Sequence, residues 1–389
     1  MSGPAVLLLG FAVTGTSAAG SVLLACLTIA AATGGLLLGT LLDRSRHPER
    51  LLAATLAGYA LGIAALAAAV GRLPLPAVVP IALVTGLFGP AVAGGWTSQL
   101  PRIVTGPELP RASALDALTY DGGALAGPAL AAVIAASLGT RIAVCTAAAL
   151  VGITVPVALT VFGTPGIATR PASAPLPAPA APPATAASGV QAAAERDTPL
   201  RQLAAGLAAI VGRRALLRAT ATSAVSYVGI GMLLVCCPLL GKARLGGEAH
   251  GALLIAADAA AGLAANALLA RRSWRRPADI RVFATTLFVG VGVAAIAVTP
   301  GWLTMIPAVL IGAGGGPQLT ALFEVRHREA PAGMRGQIFT TAASLKIAGF
   351  AVGAALGGLL AGWSVTGCLL IAAGIEVAAA AVYLVHGRR

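Results

Sequence analysis

Long apolar stretches separated by short polar breaks run the length of the chain, and the stretches are apolar on every side. Ser21 to Leu42 and Ile347 to Gly362 hold no charged residue at all, whereas a surface helix of a soluble protein keeps one charged face. Reading each run between charged residues or Pro/Gly breaks predicts helices near 20-42, 51-70, 75-97, 114-137, 140-162, 218-240, 249-270, 280-299, 302-322, 338-362 and 365-385. These approach the ~20 residues that a helix needs to cross hydrocarbon. Residues 4-14 form one more apolar run, about half that length. A membrane β-barrel would need short segments alternating apolar and polar, and the runs do not alternate. The expected fold class is an all-α membrane protein with twelve helices, eleven of them complete spans, numbered here from the partial run 4-14.

One stretch breaks the rhythm. Residues 164-217 contain a Pro/Ala/Ser/Thr run from Thr164 to Ser188 that cannot bury a core and is expected to be disordered. They divide the chain into a half at 1-163, a linker at 164-217 and a half at 218-389. Asp197-Thr198-Pro199 resembles a helix start, and Leu200, Leu203, Leu207 and Ile210 follow at helical spacing. With Arg201, Arg213, Arg214 and Arg218, that helix suits either the inner membrane surface or a plain connector.

Composition agrees: 58% of the 389 residues are hydrophobic and 10% are charged, with a mean hydropathy of +0.90. Backbone groups in such runs must satisfy one another as helices, because lipid offers no hydrogen bonds. The net charge of +13 does not indicate nucleic acid, since aromatics that would stack on bases are only 4% of the chain. The positive charge sits instead in short loops on one side of an alternating topology. Only Arg72, Arg141, Lys242 and Arg244 fall on the other side, and Lys346 falls inside a span. By the positive-inside rule the linker and the C-terminus are cytosolic, in a multi-pass protein of the cytoplasmic (inner) membrane. Cys26, Cys145, Cys236, Cys237 and Cys368 all lie in apolar runs without paired spacing, and read as small core residues rather than as a disulfide or zinc framework.

The two halves are related by an offset of 226 residues. Leu27 to Ala31 faces Leu253 to Ala257, Arg46 faces Arg272, Arg50 faces Arg276, and Gly86 faces Gly312. Gly123, Gly127, Ala129 and Leu130 face Gly349, Gly353, Ala355 and Leu356, and one residue of slippage pairs Gly89-Pro90 with Gly316-Pro317. One offset shared by four helices implies a duplicated six-helix unit whose copies run in the same direction. Residues 4-14 align with 230-240, yet the later helix begins near Arg218. The front of the first helix is therefore expected about eight residues upstream of Met1, encoded by an earlier in-frame start. A signal peptide is the rival reading of the run before Ser17-Ala18-Ala19, but no basic residue precedes it.

The second helix ends in Gly39-Thr-Leu-Leu-Asp43-Arg44-Ser-Arg46-His47-Pro48-Glu49-Arg50. This resembles the Gly-x-x-x-Asp-Arg-x-Gly-Arg loop of the major facilitator superfamily, with Arg46 in place of the second glycine and His47 in place of the following arginine. The twelve-helix plan extends the resemblance over essentially the whole chain. It implies a secondary transporter in which Gly39, Asp43, Arg44 and Arg46 form a gating loop, and Asp43 braces the cytosolic end of the eleventh helix, expected to begin near Gln337. A carboxylate at a helix N-terminus is favoured by the helix dipole. In the fifth helix Gly123-Ala-Leu-Ala-Gly127-Pro128-Ala-Leu-Ala131-Ala132 is similar to the Gly-x-x-x-Gly-Pro-x-x-Gly-Gly signature of the family's antiporters, with alanines for the closing glycines. That similarity implies export. Gly123 and Gly127 permit close packing, and Pro128 adds a bend.

Asp121, Asp258, Glu376 and Lys346 fall well inside spans, where a charge costs about 2.5-3.5 kcal/mol at the centre. None is repeated in the other half. In the family plan the fifth, eighth and eleventh helices line the route and the twelfth is peripheral, so Asp121, Asp258 and Lys346 are the stronger candidates for the proton and substrate pathway and Glu376 the weaker. An internal ion pair that merely fixes helix packing is the competing reading. Asp116, near the cytosolic end of its helix, is expected to reach the interface. Lys346, Gly349, Gly353 and Gly357 share one helical face, so the lysine is expected to point into protein or a water-filled route. These residues suggest proton-coupled movement of a small organic molecule, with no cofactor or metal, by a monomer. A sensor or inactive homologue is the alternative. A membrane enzyme has only Glu324-x-x-His327-x-Glu329, placed in a basic loop and read as solvated charge.

Overall fold

The computed structural model describes residues 1-14, 17-104, 106-163, 199-247, 250-271, 276-331 and 333-385. They form helices joined by short turns, with no β-strand among them. In chain order the helices are α1 (Ser2–Thr14), α2 (Ser17–Arg44), α3 (Pro48–Ala69), α4 (Leu75–Arg102), α5 (Leu109–Ser137) and α6 (Thr140–Gly163). After a connector helix, Pro199–Gly212, come α7 (Arg214–Arg244), α8 (Gly251–Arg271), α9 (Ala278–Val298), α10 (Met305–Glu329), α11 (Arg335–Ala361) and α12 (Val365–Val385). Among the described residues, eleven helices are long and apolar enough to cross a membrane, and Ser2–Val13 is a shorter apolar helix. The Thr164 to Ser188 run and Asp197-Thr198 lie outside the described residues, as does Arg272.

Local chemistry sets the ends. Pro48 opens α3 at a first-turn position, where its missing N–H costs nothing. Gly246, at φ +85, closes α7 and lets the Gly247 N–H return to the Gly241 carbonyl at 3.0 Å. Span α4 is broken: its α-helix stops at Leu87, a π turn covers Ala91–Gly95, and Trp96–Gln99 resumes the helix. The break falls at Gly89-Pro90, whereas the matching Gly316-Pro317 sits inside an unbroken α10.

Packing repeats along the predicted offset. Within the first six helices α2 lies on α4, α3 on α6 and α1 on α5; within the last six α8 lies on α10, α9 on α12 and α7 on α11. The first set centres on Leu9, Leu23, Ile63, Leu66 and Val144, the second on Met232, Cys236, Val293, Ile311 and Leu369. A Cβ on Gly353 would collide with the Val228 carbonyl on α7, and one on Gly127 would lie 2.9 Å from the nitrogen of Met1, which immediately precedes α1. The same helix pair thus meets at the same small residue in both halves. Cys236, Cys237 and Cys368 are buried as expected, but Cys145 is exposed on α6.

Between the two sets, α2 packs on α11, α4 on α11, and α5 on α8 and α10. The connector helix turns Gly206 against Gln337 and places Ile210 beside Leu216, Ala330 and Ile338. It therefore lies on protein at the start of α11, with Leu207 and Val211 exposed on its other side.

Candidate functional site

The end of the molecule that carries Asp43, here the basic end, is shut. Asp43 accepts the backbone N–H groups of Gly336 and Gln337, each at 2.7 Å, one from each carboxylate oxygen. These are first-turn donors of α11 that have no partner within the helix, so the carboxylate caps it. Gly35 and Gly39 bring α2 against Thr340, Ser344 and Gln337, and Ser344 donates to the Ala31 carbonyl at 2.9 Å. Gly94, in the π turn of α4, lies against the Phe339 backbone. Tyr120, Phe323, Phe339 and His327 add an aromatic layer, with His327 and Phe339 ring centroids 4.5 Å apart. Arg44 and Arg46 point outward and are exposed.

Above this layer, away from the basic end, lie the charged residues of the spans. Asp121 on α5 accepts a hydrogen bond from Asn266 Nδ2 on α8 at 2.6 Å, and Asn266 Oδ1 accepts from Thr320 on α10 at 2.7 Å. Gly262, one turn from Asn266, makes the approach possible: a Cβ there would sit 3.2 Å from the Asp121 carboxyl carbon. Asp258 is one further turn along the same face of α8. It lines a small cavity of about 50 Å³ with Ile230, Leu254 and Ile311, and has no hydrogen bond or ion pair among the described residues. Lys346 does not pair with either carboxylate. Its Nζ lies 4.1 Å from the Tyr227 ring centroid and 5.7 Å from that of Tyr120, a cation-π arrangement in place of the ion pair that the sequence suggested.

The hydrogen bonds that Asp43, Ala31 and Asp121 accept across the two sets of six helices lie at the level of Asp121 and Ala31 or nearer the basic end. Beyond that level α2, α5, α8 and α11 expose apolar side chains, such as Ile29, Val133, Leu253 and Val352. Asp121 carries one of the outermost of these bonds, and Asp258 lies two turns from Asn266 along α8.

Other expectations change. Glu376 is fully buried among the last six helices: it faces Gly229 on α7 and Gly290 on α9, with the Ser226 side chain of α7 as a polar neighbour. Asp116 does not reach an interface; it is 8% exposed and accepts from Thr97 on α4 at 2.7 Å. The Glu324, His327 and Glu329 cluster is not in a loop, because α10 runs on to Glu329. Glu324 pairs with Arg281 of α9, while Arg326 and His327 are 3% exposed. Polar residues in the last turns of α10 ended the apolar run early, though the helix continues. In α11, Gly349, Gly353 and Gly357 pack on Ala224, Val228 and Met232 of α7, and Lys346 over Tyr227 shares that inward side. Gly123 meets nothing within 4 Å, so Gly127 alone makes the close approach expected of the pair. The helix runs unbroken through Pro128. Asn266, Thr320 and Tyr227 were not singled out from sequence; the one signal was an amide inside the apolar run of α8.

The family model of the Major Facilitator Superfamily matches residues 1–346. Comparison with curated protein sequences gives no significant match. Among solved structures the chain is similar to the proton:xylose symporter XylE bound to 6-bromo-6-deoxy-D-glucose, with a TM-score of 0.69 and 12% identity over 100% of this chain and 94% of that one. It is similar to the E. coli fucose:proton symporter FucP, with a TM-score of 0.68 and 13% identity over 99% and 94%. It is also similar to the human organic anion transporter MFSD10, with a TM-score of 0.63 and 14% identity over 98% and 89%.

Proposed function

The chain belongs to the major facilitator superfamily, and from that premise we propose that it moves a small organic molecule by alternating access, coupled to protons through Asp258 and Asp121. The halves at 1-163 and 218-389 rock about the site, joined by the linker at 164-217. The positive-inside rule supports a cytosolic basic end. On that reading the cytosolic side is shut by Asp43, Gly39 and the aromatic layer, and the site faces outward.

The observation that carries the proposal is the Asp121, Asn266 and Thr320 chain, which crosses between the halves, with Asp258, on the same face of α8, left without a hydrogen bond among the described residues. A carboxylate bonded across the halves must lose or exchange that bond when they move, which couples its protonation to the motion. Lys346, held over Tyr227 and Tyr120, supplies positive charge beside the route without neutralising either aspartate. Glu376, enclosed within the last six helices, has a packing role. The names of two similar structures, both proton symporters, support proton coupling and a small organic substrate. Export rests on the Gly123 to Ala132 resemblance alone.

Purified protein in liposomes with an imposed pH gradient, challenged with panels of sugars, organic anions and cationic drugs, tests the proposal. Gradient-dependent movement of one class is the expected result. Binding of a panel member with no movement under any gradient or polarity would favour a sensor and overturn the transport reading.

A further inference from the structure

A crevice of about 740 Å³ opens at the basic end between α5, α8, α9 and α10. Leu109, Pro110 and Arg111 line it from the first six helices, and Leu269, Arg271 and Arg276 from the last six. Arg281 and Arg328 also line it, but they are engaged with Glu324 and Asp279. Arg111, Arg271 and Arg276 are exposed, and none has an ion pair or hydrogen bond among the described residues. Glu108 lines the crevice beside Arg111, but this one carboxylate leaves the three arginines, drawn from both halves around one cavity, with an excess of positive charge that an entering anion would relieve.

The internal repeat gives this vacancy a meaning. At the offset of 226, Asp43 corresponds to Leu269, and Gly336 and Gln337 correspond to Pro110 and Arg111. Where α2 offers a carboxylate to the start of α11, α8 offers a leucine to the start of α5, which has no side-chain cap. In one half the anion that ties the halves together is built in. In the other its place is an arginine-lined crevice.

We propose that this crevice binds a phosphate-bearing anion, which bridges Arg111 to Arg271 and Arg276 and holds the basic end shut as Asp43 does on the other side. A phosphate monoester or diester suits the chemistry, because guanidinium groups bind phosphate oxygens in bidentate pairs. The apolar walls formed by Leu109, Pro110 and Leu269 accommodate a carbon-rich body beside the phosphate. A phospholipid headgroup and free phosphate share this chemistry.

The test measures thermal stability and retained lipid by native mass spectrometry on the full chain in neutral detergent. Phosphatidylglycerol, phosphatidylcholine, inorganic phosphate and chloride at equal ionic strength are added in turn. Phosphatidylglycerol is expected to stabilise the protein and remain bound, and the other lipid and chloride to do neither. Stabilisation by inorganic phosphate as well, with displacement of the lipid, would identify free phosphate as a second source. Replacing Arg111, Arg271 and Arg276 together with Gln should weaken the apparent affinity by about fivefold for each arginine removed. The triple variant Arg50→Gln, Arg213→Gln, Arg214→Gln, exposed at the same end but outside the crevice, should retain it. If the crevice triple does not fold, the three single replacements carry the same comparison. An equal effect of both triples, or no preference in the wild type for phosphatidylglycerol or inorganic phosphate over zwitterionic phosphatidylcholine and chloride, would overturn the proposal.

Discussion

Replacing Asp43 with Asn should open the basic end. The carboxylate accepts two backbone N–H groups of α11 at 2.7 Å each, and bonds to a charged group contribute about 1.5-3 kcal/mol apiece. Asparagine keeps one acceptor oxygen but loses the charge, and with it about 0.3-1 kcal/mol of helix-dipole interaction. The net loss of about 2-3 kcal/mol shifts the closed-to-open ratio by about 30- to 150-fold. Ser344 reports this shift well: it is 3% exposed, faces Gly35, and is nearly isosteric with cysteine. In a background without the five native cysteines, a membrane-impermeant maleimide applied to the basic end should label Ser344→Cys slowly, and markedly faster once Asp43→Asn is added. The rate should rise without loss of folded protein, since the cap joins helices that stay packed within their own halves. Indistinguishable labelling rates with and without Asp43→Asn would refute the gating role of this residue.

Three further outcomes follow from contacts elsewhere. Gly353→Ala drives a methyl group into the Val228 carbonyl and should cost about 1-3 kcal/mol, whereas Gly123→Ala meets open space and should be neutral or stabilising by about 0.5-1 kcal/mol; thermal stability in detergent distinguishes them. Lys346→Leu loses a cation-π contact of about 2 kcal/mol but relieves a buried charge costing about 2.5-3.5 kcal/mol. Membrane abundance should therefore hold while transport fails, and intact transport with raised stability would mean that the lysine has no part in the route. Glu376→Gln keeps the shape and an acceptor oxygen of a buried side chain enclosed by α7 and α9, so abundance, substrate binding and gradient-driven uptake into vesicles should all persist.

Much of this architecture is readable from the sequence because lipid imposes simple rules. A span needs about 20 apolar residues, so the helix count and the short first helix follow directly. The offset of 226 even anticipates contact: Gly353 meets Val228, and Gly127 meets Met1. Asp43 is legible because its motif is local and its partner is the next helix start that the fold presents. What stays hidden depends on neighbours from distant sequence. Glu324 looks like a loop residue until Arg281 of another helix is placed beside it. Lys346 suggests a carboxylate partner, and only the fold brings Tyr227 and Tyr120 beneath it. Asn266 carries no motif, yet it links Asp121 to Thr320 across three helices.

The central claim is that Asp258 and Asp121 link protons to transport, and paired measurement of substrate and proton flux tests it most directly. In liposomes loaded with a pH-sensitive dye, the wild type should move protons together with its substrate, and a pH gradient should drive substrate accumulation. Asp258→Asn should abolish accumulation and proton flux while leaving folded protein and substrate binding largely intact, with Asp121→Asn the weaker of the two. Wild-type accumulation and proton flux in both variants, with unchanged pH dependence, would contradict the account.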